Sequence, residues 1–339
     1  MEAYLYRRLE DHKVRCDLCH HRCVIAPGKR GLCQVRENRD GRLETLVYGR
    51  LIAGNVDPVE KKPLFHLLPG HRSYSVATVG CNFRCLFCQN ADIAQMPRDN
   101  RGTIIGRQTD PSQVVEAALD AGCRSIAYTY TEPTVFFEFV HDTARLAHYR
   151  GLKNILVTNG YMSPEALQMA SSWIDAANVD LKAFSDDFYK TYCGARLEPV
   201  KETLRLMKSS RMLVEVTTLI IPGLNDDTGQ LQALAQFIAN DLGPETPWHI
   251  SRFHPTYRLT DRPPTSLDTL VKAWEIGRRA GLCHVYTGNV PGRAEENTYC
   301  PGCGSLLIER WGFGIRYNKI EKGRCPDCGR RIYGVFEDG

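Results

Sequence analysis

No apolar run in these 339 residues approaches the roughly 18 that a membrane-spanning helix requires. Neither sign of charge dominates either: 43 basic side chains face 39 acidic ones, a net of +4. Nucleic acid or an anionic lipid surface calls for a strong basic field, so no nucleic-acid and no membrane partner is expected. Met1 to Val14 is charged and lacks the apolar stretch of a secretion signal, which makes the cytoplasm the expected compartment. The chain also lacks internal repeats and low-complexity tracts. These absences leave an ordinary globular chain, 43% hydrophobic and long enough to bury a large core.

Cysteine is what the chain has in excess, with 14 copies. A reducing compartment disfavours structural disulfides, so clustered cysteines there argue for metal. All but Cys123, Cys193 and Cys283 fall in clusters. Those three are expected to be small buried hydrophobes.

The middle of the chain alternates apolar runs with helical patterns. Strands are predicted at Tyr74–Val79, Ser125–Thr129, Asn154–Thr158, Ala177–Leu181, Leu213–Ile221, Trp248–Phe253 and His284–Tyr286. Helices are predicted from Asp110-Pro111 to about Gly122, and over Thr134–Tyr149, Pro164–Trp173, Val200–Lys208, Gly229–Asp241 and Leu267–Arg279. Strands alternating with helices of this length mean βαβ units and a parallel sheet. The expected fold is α/β, a partial, (β/α)6-like parallel barrel, with a doubly wound open sheet as the alternative. In such barrels the active site lies at the C-terminal ends of the strands. Turn-forming pairs near Pro69-Gly70 and Pro291-Gly292 suggest three parts: a Cys-rich N-terminal region (1–72), a core barrel (73–292) and a four-cysteine C-terminal domain (293–339).

The central cluster is Cys81, Cys85 and Cys88, spaced C-x3-C-x2-C directly after the first predicted barrel strand. Thiolate is the soft ligand that iron–sulfur clusters take. A four-iron cubane needs four ligands and this run supplies three, which leaves one iron free to bind a small molecule. A zinc site borrowing a fourth ligand and a ferredoxin-like site are the competing readings. At the C-terminus, Cys300, Cys303, Cys325 and Cys328 form two C-x2-C knuckles 21 residues apart. They can close a tetrahedral zinc ribbon with a structural role, or hold an auxiliary iron–sulfur cluster. At the N-terminus, Cys16, Cys19, Cys23 and Cys33 again fit one closed site, for zinc or an iron–sulfur cluster. His20 and His21 lie between those ligands and read as exposed loop residues.

The Gly80-to-Cys88 run resembles the signature of the radical SAM superfamily. Further runs are similar to one of its subgroups: Arg15 to Cys23, Gly28 to Cys33, Asp57 to Leu64, Tyr128 to Pro133 and Ile221 to Asp227. Together they resemble the radical SAM member of the AmmeMemoRadiSam system, a relative of the pyruvate formate-lyase activating enzymes. The resemblance implies a 4Fe-4S cluster on Cys81, Cys85 and Cys88 whose open iron binds S-adenosylmethionine (SAM). It implies reductive cleavage of SAM to a 5′-deoxyadenosyl radical that abstracts hydrogen from an unknown substrate. It also implies Memo-like and AMMECR-type partner proteins, and an electron donor such as flavodoxin or ferredoxin. Carried over residue by residue, Glu132 lies in the loop that meets the SAM amine, with Tyr130 and Thr131 where that loop usually has glycines. Asp180 and Lys182 match the run that meets the SAM carboxylate and ribose, and Phe87 the aromatic position near adenine. Asn159 and His254 lie at strand ends facing the same mouth. The Asp57-to-Lys62 run reads either as a solvated linker or as a docking element. Two other functions compete: a glycyl-radical-enzyme activase, and a zinc-ribbon binding module without chemistry. Gln89 to Gly122 lacks the extra ferredoxin-like cysteines of some activases.

Overall fold

The computed structural model describes residues 1–210, 212–290 and 292–336. Pro291 of the expected Pro291-Gly292 boundary, and residues 337–339 of the expected C-terminal domain, lie outside them. The centre is an eight-stranded sheet. In chain order its strands are β1 (Ala53–Pro58), β2 (Arg72–Ala77), β3 (Ser125–Tyr128), β4 (Lys153–Thr158), β5 (Ala176–Asp180), β6 (Leu213–Ile220), β7 (Trp248–Arg252) and β8 (Val285–Gly288). From β2 to β8 every neighbouring pair is parallel and follows chain order. Strand β1 adds to the free edge of β2 antiparallel. The sheet stays open between β1 and β8, as a partial barrel does.

Strands β3, β5 and β6 are buried almost end to end, as parallel strands covered on both faces must be. Six longer helices follow in the connections: α1 (Pro111–Asp120), α2 (Phe137–Tyr149), α3 (Pro164–Ala170), α4 (Leu197–Ser209), α5 (Thr228–Phe237) and α6 (Leu267–Arg279). Each buries one stripe at 3–4 spacing, such as Val114, Val115 and Ala118 on α1 or Val200, Leu204 and Met207 on α4. These stripes share a core with the outward-facing Ile126, Tyr128, Leu156 and Val214. The alternate residues Ala127, Ile155, Ala176 and Leu213 face inward and form a second core with Val59, Leu64 and Leu67. Residues 59–71 therefore fill the barrel at the N-terminal ends of its strands. The C-terminal segment joins them there, as Val335 pairs with Leu67.

The N-terminal region folds as a small antiparallel sheet (Tyr6–Arg8, Val14–Cys16, Val24–Ile25) and a hairpin (Arg36–Arg39, Arg42–Thr45). Its Val14, Ile25, Val35 and Leu43 belong to the same core as the helices. The C-terminal ribbon is a three-stranded antiparallel sheet (Thr298–Tyr299, Leu306–Trp311, Gly314–Asn318). Among the described residues no helix is long and apolar enough to cross a membrane.

Several element ends differ from the expectation, for local reasons. The helix predicted from Thr134 starts with a 3-10 turn, Pro133–Phe136, because the Glu132 carboxylate caps Thr134 N–H at 3.0 Å and Pro133 lacks a donor. The helix predicted from Val200 starts at Leu197, since a proline in the first turn loses no bond there. The one predicted to reach Asp241 is α-helical only to Phe237, and a wider π-turn, Ile238–Leu242, follows.

Candidate active site

A cavity of about 560 Å³ opens at the C-terminal ends of the strands. Inward positions of successive strands line it: Val157 of β4, Asn178 and Asp180 of β5, Thr217 and Leu219 of β6, His249 and Ser251 of β7, and Gly288 of β8. One cavity touching so many strands shows the sheet curling around it.

Cys81, Cys85 and Cys88 all line this cavity. Their loop leaves β2 at its C-terminal end and rests on the segment after β5. Arg84 N–H donates to Cys193 C=O (2.9 Å), and Leu86 N–H to Tyr192 C=O (3.0 Å). The Cys193 side chain is fully buried and hydrogen-bonds Cys85. That bond, with help from Lys182 against burial, lowers the Cys85 thiol pKa. Burial instead raises Cys81, and raises Cys88 to about 11. Buried thiols in this state need a cation to become thiolates. Three sulfurs on one cavity wall fit a cluster with one corner left for a ligand.

Phe87, Glu132, Asn159, Asp180 and Lys182 line the same cavity. Lys182 Nζ lies 2.9 Å from Asp180 Oδ2 and 5.9 Å from the Phe87 ring centroid. Burial works against the Lys182 ammonium, but Asp180 and the neighbouring thiols outweigh it, so its pKa is raised. Glu132 is buried and fully engaged. Its Oε1 accepts from Thr134 N–H (3.0 Å) and the Thr158 hydroxyl (2.8 Å), and its Oε2 from Asn159 N–H (2.8 Å). Burial raises its pKa against the pull of those bonds. The carboxylate thus ties the end of β3 to the end of β4. Asn159 Nδ2 donates to Asn82 Oδ1 (2.7 Å), which steadies the cysteine loop. His254 is the exception among the expected ligands. It is exposed and stands apart from the residues lining the cavity, because β7 ends at Arg252, two residues before it.

The Asp57-to-Lys62 run is no solvated linker. Asp57, Glu60 and Lys62 are buried, and Glu60, Lys61 and Lys62 line the cavity. Asp57 accepts from Lys61 (2.8 Å), Lys62 (2.6 Å) and the Tyr130 hydroxyl. Glu60 Oε2 is buried without a hydrogen-bond partner. Gly312 and Phe313 of the C-terminal ribbon border the same space. Arg310, on the ribbon's second strand, reaches under it. Its guanidinium donates to Thr298 Oγ1 (2.7 Å) and Phe65 C=O (2.9 Å). Arg310 and Phe313 carry no motif that local sequence could flag.

At the C-terminus the four sulfurs of Cys300, Cys303, Cys325 and Cys328 lie within 4.8 Å of one another. Cys300 Sγ is 3.6 Å from Cys328 Sγ, and Cys303 Sγ is 3.7 Å from Cys325 Sγ. Tetrahedral thiolate at about 2.3 Å from a metal has edges of about 3.8 Å, so the segment fits a zinc ribbon. Cys16, Cys19, Cys23 and Cys33 converge on a separate small cavity beside the segments that follow β2 and β3. His21 there is not a free loop residue: its Nε2 lies 2.9 Å from Asn82 C=O and its ring packs on Tyr161.

Residues 75–237 match the profile described as the Radical SAM superfamily. Over 333 residues the chain is 47% identical to uncharacterized protein MJ0808 of Methanocaldococcus jannaschii, spanning 98% of each chain. It is 23% identical over 176 residues to pyruvate formate-lyase 1-activating enzyme of Escherichia coli K12, across 48% of this chain and 67% of that enzyme. Of solved structures, Streptococcus suis SuiB bound to S-adenosylmethionine aligns with a TM-score of 0.51 at 13% identity, over 72% of this chain and 56% of SuiB. That last likeness is one of fold.

Proposed function

Because the chain belongs to the radical SAM superfamily, we propose that it binds a 4Fe-4S cluster through Cys81, Cys85 and Cys88, binds SAM beside it, and abstracts hydrogen from a substrate at the far end of the cavity. The observation that carries this reading is the meeting of three thiols with Asp180, Lys182, Asn159 and Phe87 on one wall. When bound, cluster and SAM supply a carbon radical at the cost of one electron. The chain's own residues do the rest. Lys182 offers a cation for the SAM carboxylate, and Asp180 an acceptor for a ribose hydroxyl. Phe87 offers an apolar face for adenine. Glu132 spends its oxygens holding the loop, which leaves the backbone beside Tyr130 and Thr131 for the amine.

The polar side chains lining that end, Asn178, Thr217, His249 and Ser251, favour a compact polar substrate. The activase reading stays as the second one, on the strength of the likeness to the pyruvate formate-lyase activating enzyme. A ribbon module without chemistry is set aside by the superfamily membership. The subgroup-like runs place the chain, in our reading, in the AmmeMemoRadiSam system. Memo-like and AMMECR-type proteins are then its partners, flavodoxin or ferredoxin its electron source, zinc the ribbon metal and the cytoplasm its setting.

The test is anaerobic reconstitution with iron and sulfide, followed by dithionite and SAM. The wild-type chain is expected to release 5′-deoxyadenosine and Cys85→Ala to release none. A chain carrying its full cluster that releases none would sink the reading. Deuterium transfer between SAM and candidate small molecules or partner proteins then separates the two substrate classes.

A further inference from the structure

We infer that Cys16, Cys19, Cys23 and Cys33 hold a second iron–sulfur cluster, bound by protein at every corner, rather than a single zinc ion. All four line one small cavity between the N-terminal strands and the turn that opens α2.

Spacing is the first argument. Among the described residues, three or more candidate ligand atoms lie mutually within 4.8 Å only at the C-terminal quartet. A single tetrahedral ion needs sulfur–sulfur edges of about 3.8 Å. The N-terminal sulfurs are more widely set, and in this they resemble Cys81, Cys85 and Cys88, which are also absent from that close-set group. A cubane puts a different iron under each thiolate, so its ligands must stand farther apart.

Arg36 supplies the second argument, independent of the first. It is 1% exposed and lines the cavity with the cysteines. One nitrogen donates to Glu138 Oε2 at 2.5 Å, while Nε and Nη1 have no partner. A buried guanidinium with idle N–H groups is costly unless an anion faces it. Inorganic sulfides and thiolates of a cluster supply such acceptors. Leu18, Ile25, Leu32 and Val135 complete an apolar wall, which suits an iron–sulfur centre kept from water.

Its position gives the site a use. Asn82 borders this cavity, and the adjacent Cys81 borders the large one. Two clusters would thus sit on opposite sides of one residue, close enough for their spins to interact.

The test uses the full chain with Cys81→Ala, Cys85→Ala and Cys88→Ala combined, reconstituted anaerobically. It is expected to retain about four irons and about four sulfides per chain. Its reduced signal in electron paramagnetic resonance should be indifferent to SAM, because no corner is open. Zinc in place of iron at this site, no metal there, or a signal that shifts with SAM would each overturn the inference. Cys19→Ser in the otherwise native chain guards against misfolding of the triple variant. Iron should fall from about eight to about four per chain, and the remaining signal should still respond to SAM and lose its spin-coupling broadening. Iron content equal to that of the native chain would refute the second cluster. None of these readouts requires turnover, so they stand or fall apart from the proposed reaction.

Discussion

Tyr130 has φ of +60°, a left-handed backbone that costs a bulky residue about 1–2 kcal/mol. The surroundings hold it there. Its hydroxyl donates to Asp57, and the Lys62 ammonium sits 4.5 Å from its ring centroid. Burial pushes the Asp57 carboxyl up, but the bonds from Lys61, Lys62 and Tyr130 outweigh it and hold its pKa well below the usual range. A depressed folded-state pKa gives stability that is present above the unfolded value of about 3.9 and is lost as pH falls below it. Asp57→Asn should therefore flatten the loss of stability below about pH 4. At neutral pH it leaves Lys62 buried without a counter-ion, with an expected cost of about 3 kcal/mol in denaturant unfolding. Lys182→Met addresses the other wall. It is expected to weaken SAM binding about tenfold or more, the worth of a hydrogen bond to a charged group, measured by anaerobic calorimetry with the cluster intact. Asp180, Lys182 and Asn159 were legible because strand-end motifs are local in sequence. The contact of Asp57 with Tyr130 spans 73 residues and leaves no local mark. His254 stands outside the cavity lining because β7 ends at Arg252, a limit that spacing alone does not fix.

At the level of elements, the turn from β2 into the cysteine loop depends on Gly80. Its φ is +104°, and an added Cβ would meet Val35 Cγ1 at 2.5 Å. Gly80→Ala is expected to destabilise the chain by about 2 kcal/mol or more, through backbone strain and overpacking. It should also lower iron retention, since Val35 anchors the N-terminal hairpin against that loop. Thermal unfolding and iron content check both halves. The parallel strands and their helices were readable because buried β-rich runs alternated with 3–4 apolar spacing. The ends were less so: β2 begins at Arg72 and stops at Ala77, not Tyr74 to Val79, since its register is set by pairing with β1 and β3. Strand β1 itself went unread, because its exposed Gly54, Asn55 and Val56 carry no apolar alternation.

Taken whole, the molecule joins three cysteine sites through one barrel. The ribbon reaches the barrel through Arg310 beneath the cavity and Phe313 at its border. Folding of so small a ribbon is tied to its metal. Stripping metal from the C-terminal site, or Cys325→Ala, is therefore expected to loosen residues 298–318 and unseat Arg310. Hydrogen exchange should rise there and around Phe65, while iron bound through Cys81, Cys85 and Cys88 stays in place. Unchanged exchange would refute that coupling. Spacing of the ribbon cysteines showed a closed site, but not that its hairpin borders the cavity, because that depends on docking between distant segments. The turn bearing Gly312 and Phe313 hangs from a hairpin, not from any barrel strand. Relatives can lengthen, shorten or exchange it without disturbing the sheet. Selection can thus reshape that border of the cavity while the cysteine loop and the strand ends stay constant.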